Sequence, residues 1–209
     1  MDAAVLSSLK HSLSDGFESL PKSTGKHRTF SYAGDEYLIR TLVADPQTIA
    51  RITTISRKDH HVPEIITLAD HTYEVQRLLP EPTISHAPLH TFDETRSAYE
   101  RVWNAIGACH DSGVGHGDVH PENILYRDGE VKIIDWEWAR ARDEPSRLPR
   151  IDVAHFDYAG LAYTGRALFA NHPSAAGVFH HDHRCGQSPQ ALERVVSRIS
   201  EHLKLRPLS

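Results

Sequence analysis

Cysteine is almost absent. Cys109 and Cys185 are the two in 209 residues, too few for a disulfide framework, so the sequence predicts a reducing compartment and a cytoplasmic protein. Apolar runs are short as well. No stretch reaches the roughly 18 apolar residues of a membrane span, and residues 1–13 lack the basic and apolar regions of a signal peptide. No segment repeats at a solenoid period. Positive charge is not in excess: Lys and Arg number 23 against 28 Asp and Glu, a formal net charge of −5. That argues against a nucleic-acid coat and against a polybasic membrane binder. Glycine and proline, at 12 each, exclude collagen-like and low-complexity classes. Apolar residues at 39% and charged residues at 24% belong to a globular chain, one domain or two small lobes, whose core needs no staple. Histidine, by contrast, is plentiful at 16.

Periodicity divides the chain near its middle. Val5, Leu6, Leu9 and Leu13 have helical spacing within an otherwise ambiguous start. Arg28 to Tyr32 and Glu36 to Val43 read as strands around Ala33-Gly34-Asp35. Asp45-Pro46 opens a helix whose stripe is Ile49, Ile52 and Ile55, running to about Lys58. Glu64 to Leu68 and Thr72 to Leu79 read as two further strands around Ala69-Asp70-His71. Pro80-Glu81-Pro82 then interrupts the pattern. Thr91-x-x-Glu94 is a capping box before a helix with Tyr99, Val102, Trp103, Ile106 and Cys109 on one face. Cys109 on that face reads as a packed thiol. Ile124 to Tyr126 and Val131 to Ile134 flank Asp128-Gly129, a short-hairpin signal. A loop rich in Arg and Pro follows to Arg150, then helices over Asp152 to Phe169 and from Ser188-Pro189 onward. The fold class predicted is α+β, with 1–80 a small mixed lobe, 81–91 a linker and 92–209 a mainly helical lobe.

The chemistry concentrates in His116-Gly117-Asp118-Val119-His120-Pro121-Glu122-Asn123 and, after the hairpin, Asp135-Trp136-Glu137. With a two-residue turn at Asp128-Gly129, Tyr126 faces Val131, Ile124 faces Ile133 and Asn123 faces Ile134. Closing the hairpin therefore brings the Asn123 amide and the Asp135 carboxylate together. Two hard oxygen ligands suit Mg²⁺, which takes one or two carboxylates plus substrate phosphates. Asp118, kept off the metal, is placed to hold an acceptor hydroxyl and take its proton.

These residues resemble the catalytic loop and metal motif of protein-kinase-like phosphotransferases. His116-Gly117-Asp118 with His120, Asn123 and Asp135-Trp136-Glu137 is similar to the aminoglycoside phosphotransferase and choline kinase branch. Protein kinases differ in an Arg after the His and a Phe-Gly after the metal Asp. Yet Pro121-Glu122-Asn123-Ile124-Leu125 and Val131-Lys132-Ile133-Ile134-Asp135 would suit a protein kinase too. The resemblance implies a two-lobed kinase-like fold and ATP with Mg²⁺ as cofactors. It implies Asp118, His120 and Asn123 as catalytic, with Asn123 and Asp135 on the metal and His116 holding the loop. His120 falls where protein kinases place a lysine that meets the transferred phosphate. Asp152 resembles an Asp that opens a helix and braces the loop, a role compatible with plain capping. Arg40 falls at the phosphate-gripping lysine position, its alternative being a solvated strand residue. The usual partner is a glutamate on the next helix, and residues 46–58 contain no acid. Ser23 to Arg28 could cover phosphates. Gln76, Leu78 and Leu79 lead to the hinge that would meet adenine.

The short spans around the motifs leave room for only a small acceptor subdomain. The function implied is transfer of the ATP γ-phosphate to the hydroxyl of a small molecule. The alternatives are an atypical protein serine/threonine kinase and a nucleotide-binding pseudokinase. Arg140, Arg142, Arg147 and Arg150 could receive an anionic acceptor, or be a solvated loop partly paired with Asp143 and Glu144. His172, His180, His181, His183 and Cys185, like His60-His61, lack the repeated ligand spacing of a zinc site and read as surface histidines.

Overall fold

The computed structural model describes residues 28–41, 46–55, 59–62, 64–68, 71–146, 151–179 and 188–208, with Ala4, Ser7 and His11. The expected helix near Val5 to Leu13 lies largely outside them, as do Ser23 to His27, Ala69-Asp70, Arg147, Arg150, His180, His181, His183 and Cys185. Two units form. One is a four-stranded sheet; the other holds residues 44–62 and all from Glu81 onward.

In the first unit, β1 (Arg28–Tyr32), β2 (Asp35–Thr41), β3 (Glu64–Leu68) and β4 (His71–Arg77) pair antiparallel in the order β1-β2-β4-β3. Alternation sorts the two faces. Tyr37, Ile39, Tyr73 and Val75 are buried on one. Leu38 and Arg40 lie on the opposite face, directly across from Gln76 and Glu74. β4 stops two residues before the expected Leu79, although the Leu78 amide still donates to the Glu36 carbonyl at 2.7 Å.

The second unit begins with α1 (Pro46–Ile55), whose Thr48 and Ile49 are buried. It continues through α2 (Phe92–Asp111), β5 (Val114–Gly115), β6 (Ile124–Arg127), β7 (Glu130–Ile133), β8 (Arg140–Ala141), α3 (Val153–Leu168), α4 (Pro173–Ala176) and α5 (Pro189–Leu203). The capping box at Thr91 and Glu94 forms in both directions, satisfying two amides at the start of α2. Tyr99, Val102, Trp103, Ile106 and Cys109 are all buried, so α2 is the central strut. Leu161 of α3 and Leu192 and Ile199 of α5 join that core. Tyr99 packs edge-on to Phe169 and Phe179, and its hydroxyl donates to the Leu161 carbonyl at 3.0 Å.

Residues 81–91 fall with this unit. The Tyr126 amide donates to the Pro82 carbonyl at 3.0 Å, and Thr83 bridges to Leu125. α1 falls here too, packing on α2 and β5. Inside the expected Arg- and Pro-rich loop, Arg140 and Ala141 form β8 and pair with Gly115 and Val114. A two-residue strand carries no periodicity to read. No described helix is long and apolar enough to cross a membrane.

Candidate active site

The hairpin β6–β7 sets the geometry. Asp128 and Gly129 both have positive φ, 51° and 82°, the backbone that the right-handed strand twist favours in a two-residue turn. That turn fixes the register Ile124↔Ile133 and Tyr126↔Val131. Pairing continues one step beyond the strands, where the Ile134 amide donates to the Asn123 carbonyl at 3.0 Å. Asp135 is the next residue. It sits in the left-handed region at φ 63°, which a short polar side chain tolerates better than others.

Asn123 is buried, and its amide nitrogen donates to the Asp118 carbonyl at 3.0 Å and to the Asp118 carboxylate at 3.3 Å. With the nitrogen engaged, the amide oxygen is the atom left to offer a cation. An amide oxygen and a carboxylate are donor types that a Mg²⁺–phosphate complex takes, so the chemistry of Asn123 and Asp135 fits that ion. His120 stands between two acids: Nε2 lies 3.6 Å from the Asp118 carboxylate, and Nδ1 lies 2.9 Å from that of Glu122. The His120 bond holds the Glu122 carboxyl below its ordinary range.

The loop is tied down from beneath. His116 is fully buried; its Nδ1 accepts from the Asp118 amide at 3.1 Å, and its Nε2 donates to the Ile134 carbonyl at 2.9 Å. One nitrogen accepting and one donating is the neutral imidazole. Burial agrees, pushing His116 below its usual value although Asp157, Asp118 and Asp135 pull it upward. One histidine thus joins the Asp118 loop to the segment after β7 that carries Asp135. Asp157, fully buried in α3, accepts from the His116 amide at 2.7 Å and from the Gly117 amide at 2.7 Å. Its Oδ2 also meets His110 Nε2 at 2.9 Å.

Asp152 caps α3, accepting from the His155 amide at 2.8 Å. The carboxylate that braces the loop is that of Asp157 instead, because position 157 lies on the buried face of α3, with Val153, Ala154 and Leu161. A lone acid on an apolar stripe was the signal available in the sequence. Gly117 has φ 77°, and a Cβ there would lie 2.5 Å from the Trp138 carbonyl oxygen. Only glycine fits that approach.

Next to Asp135, Trp136 is fully buried and packs edge-on to His116 at 4.5 Å and to His60 at 5.2 Å. The segment carrying His60 clasps β7: the His61 amide donates to the Ile133 carbonyl and the Ile133 amide to the Asp59 carbonyl, both at 2.9 Å. His60 is therefore no surface histidine. Burial pushes it down to about 4, with His116 and Lys132 acting the same way. Cys109, 3.7 Å from His60 Nε2, is a packed thiol that burial raises far above its ordinary value. Arg142 donates to the His110 carbonyl at 3.3 Å. His172 bonds Thr95 at 3.2 Å. Among the described residues, no three His, Cys, Asp or Glu are grouped to hold a metal.

Arg40, Gln76, Leu78 and Leu79 belong to the sheet unit. Arg40 is not a solvated strand residue: it is half-buried and ion-paired with Glu74 across β2 and β4. Gln76 and Leu79 are half-buried and Leu78 is exposed.

The family model for the protein kinase domain matches residues 23–159. The chain belongs to the protein kinase domain family. Among curated relatives of this kinase domain, mouse sperm motility kinase 2B is 42% identical over 45 residues, covering 21% of this chain and 9% of that protein. Mouse Aurora kinase B is 34% identical over 90 residues, covering 37% of this chain and 26% of the relative. Aurora kinase B of Drosophila melanogaster is 45% identical over 56 residues, 25% of this chain and 17% of the relative. The kinase domain here thus matches a quarter or less of most of these relatives' length. These matches favour the protein-kinase alternative over the small-molecule acceptor that His116-Gly117-Asp118 led the sequence to predict.

Proposed function

We propose that the chain is a Mg²⁺-ATP-dependent phosphotransferase that passes the γ-phosphate to a serine or threonine hydroxyl of a protein. The observation that carries this reading is the braced constellation of Asp118, Asn123 and Asp135, held by His116 and Asp157. Membership of the protein kinase domain family supports it. Asp118 orients the acceptor hydroxyl and takes its proton. His120, flanked by two carboxylates, stabilises charge on the phosphoryl group in flight when protonated. Asn123 and Asp135 would hold Mg²⁺, which would supply positive charge to offset the charge developing on the phosphates. Little covalent help is required, so positioning and fixed charge supply most of the catalysis. The sheet unit, with Arg40, Gln76, Leu78 and Leu79, would serve as the nucleotide-holding lobe.

A small-molecule acceptor is the second reading, favoured by Gly117. The close Trp138 carbonyl leaves no room at this position for the arginine of protein kinases. A pseudokinase is opposed by the presence of both site acids, Asp118 and Asp135, and of the Asn123 amide.

Thermal unfolding with ATP, with and without Mg²⁺, tests nucleotide use in wild type and Asp135→Ala. Binding to the folded state alone raises stability by about 2.7 kcal/mol at a hundredfold excess over Kd. The expected result is a Mg²⁺-dependent rise that Asp135→Ala abolishes. No rise at millimolar ATP would refute the kinase reading. Radiolabelled ATP offered with a mixed protein substrate and with an aminoglycoside and choline panel then separates the two acceptor classes.

A further inference from the structure

The phosphate-gripping cation of this family is placed by a glutamate on the helix after its strand. Here α1 reads Pro-Gln-Thr-Ile-Ala-Arg-Ile-Thr-Thr-Ile and carries no acid. The sheet supplies one instead. Arg40 of β2 and Glu74 of β4 are cross-strand neighbours, and their side chains form an ion pair. Glu74 is 2% exposed, and its second carboxylate oxygen is buried without a hydrogen-bond partner. Desolvating a carboxylate inside a sheet is costly, and an apolar pair would hold the strands together as well or better. The pair shares its sheet face with Leu38 and Gln76. Arginine's planar fork can engage a carboxylate along one edge and a phosphate along another.

We propose that Glu74 is the positioning residue for Arg40, holding its guanidinium ready to bind the nucleotide phosphates. The inference rests on the nucleotide-binding reading above. It adds that the cation is placed by strand register, so its alignment does not depend on the pose of a helix. A site of this construction is assembled whenever the sheet is folded.

The test is calorimetric titration of the full chain with Mg²⁺-ATP and with adenosine, which shares the base and sugar but has no phosphates. Wild type, Glu74→Gln, Arg40→Gln and the double variant form a cycle. Glu74→Gln is expected to weaken ATP about tenfold or more, the scale of one hydrogen bond to a charged group, and to leave adenosine unchanged. In the Arg40→Gln background the Glu74 change should add nothing. Glu74→Asp keeps the charge with a shorter reach and should fold even where Glu74→Gln does not; an intermediate loss, for ATP alone, is expected. Equal losses for ATP and adenosine, or undiminished ATP binding in the Glu74 variants, would overturn the proposal while wild-type binding kept the kinase reading intact. Absence of ATP binding by wild type would overturn both.

Discussion

Asp118 is the residue on which chemistry and support separate most cleanly. Its amide is held by His116 and its carboxylate by Asn123, so Asp118→Ala should leave the fold and the ATP-dependent thermal shift in place. Turnover should fall roughly 10²–10⁴-fold, the usual scale of general acid–base assistance. Turnover unchanged in single-turnover assays would remove Asp118 from the mechanism. Asp157 presents the opposite case, because it is fully buried beneath the loop. Replacing it by Asn sets an amide nitrogen or a weaker acceptor against the buried His116 and Gly117 amides. Urea denaturation should show a loss of roughly 2–4 kcal/mol, the range for breaking a buried charged network. Gly117→Ala should cost about 2 kcal/mol, from left-handed backbone strain together with the Trp138 clash. An unchanged urea midpoint would mean the loop can step away from Trp138.

At the scale of elements, the segment 59–61 that clasps β7 carries a pH dependence. His60 titrates near 4 when folded, against 6.5 for the free side chain. Between those values the unfolded chain binds the proton and the folded chain does not, so stability rises with pH across about 4 to 6.5. The span corresponds to about 3 kcal/mol at full effect. His116, also lowered by burial, adds in the same sense. Melting temperatures from pH 4 to 7 should therefore climb more steeply in wild type than in a His60→Asn variant. Parallel curves would mean that His60 meets water. The helices are simpler objects. α2 and α5 bury the stripes their spacing predicts and begin at the Thr91 and Ser188 caps.

For the whole molecule, what could be read in advance was whatever is written locally. The β6–β7 register follows from a turn dipeptide and a period of two, so the pairing of Asn123 with Ile134, one residue before Asp135, followed too. Contacts joining distant segments were hidden. Nothing near Arg40 points to Glu74, and nothing near His116 points to Asp157, because strand order and helix docking choose those partners. β8 is two residues long and exists only because β5 lies beside it. The buried Asp157 carboxylate also has a temporal consequence. A growing chain holds every residue of the 116–137 motif well before α3 has been made, yet the His116 and Gly117 amides then lack their acceptor. Bonds that span 41 and 40 residues close late, once chain entropy has been overcome. The loop should acquire its final shape at the end of folding, once the helix beneath it has docked.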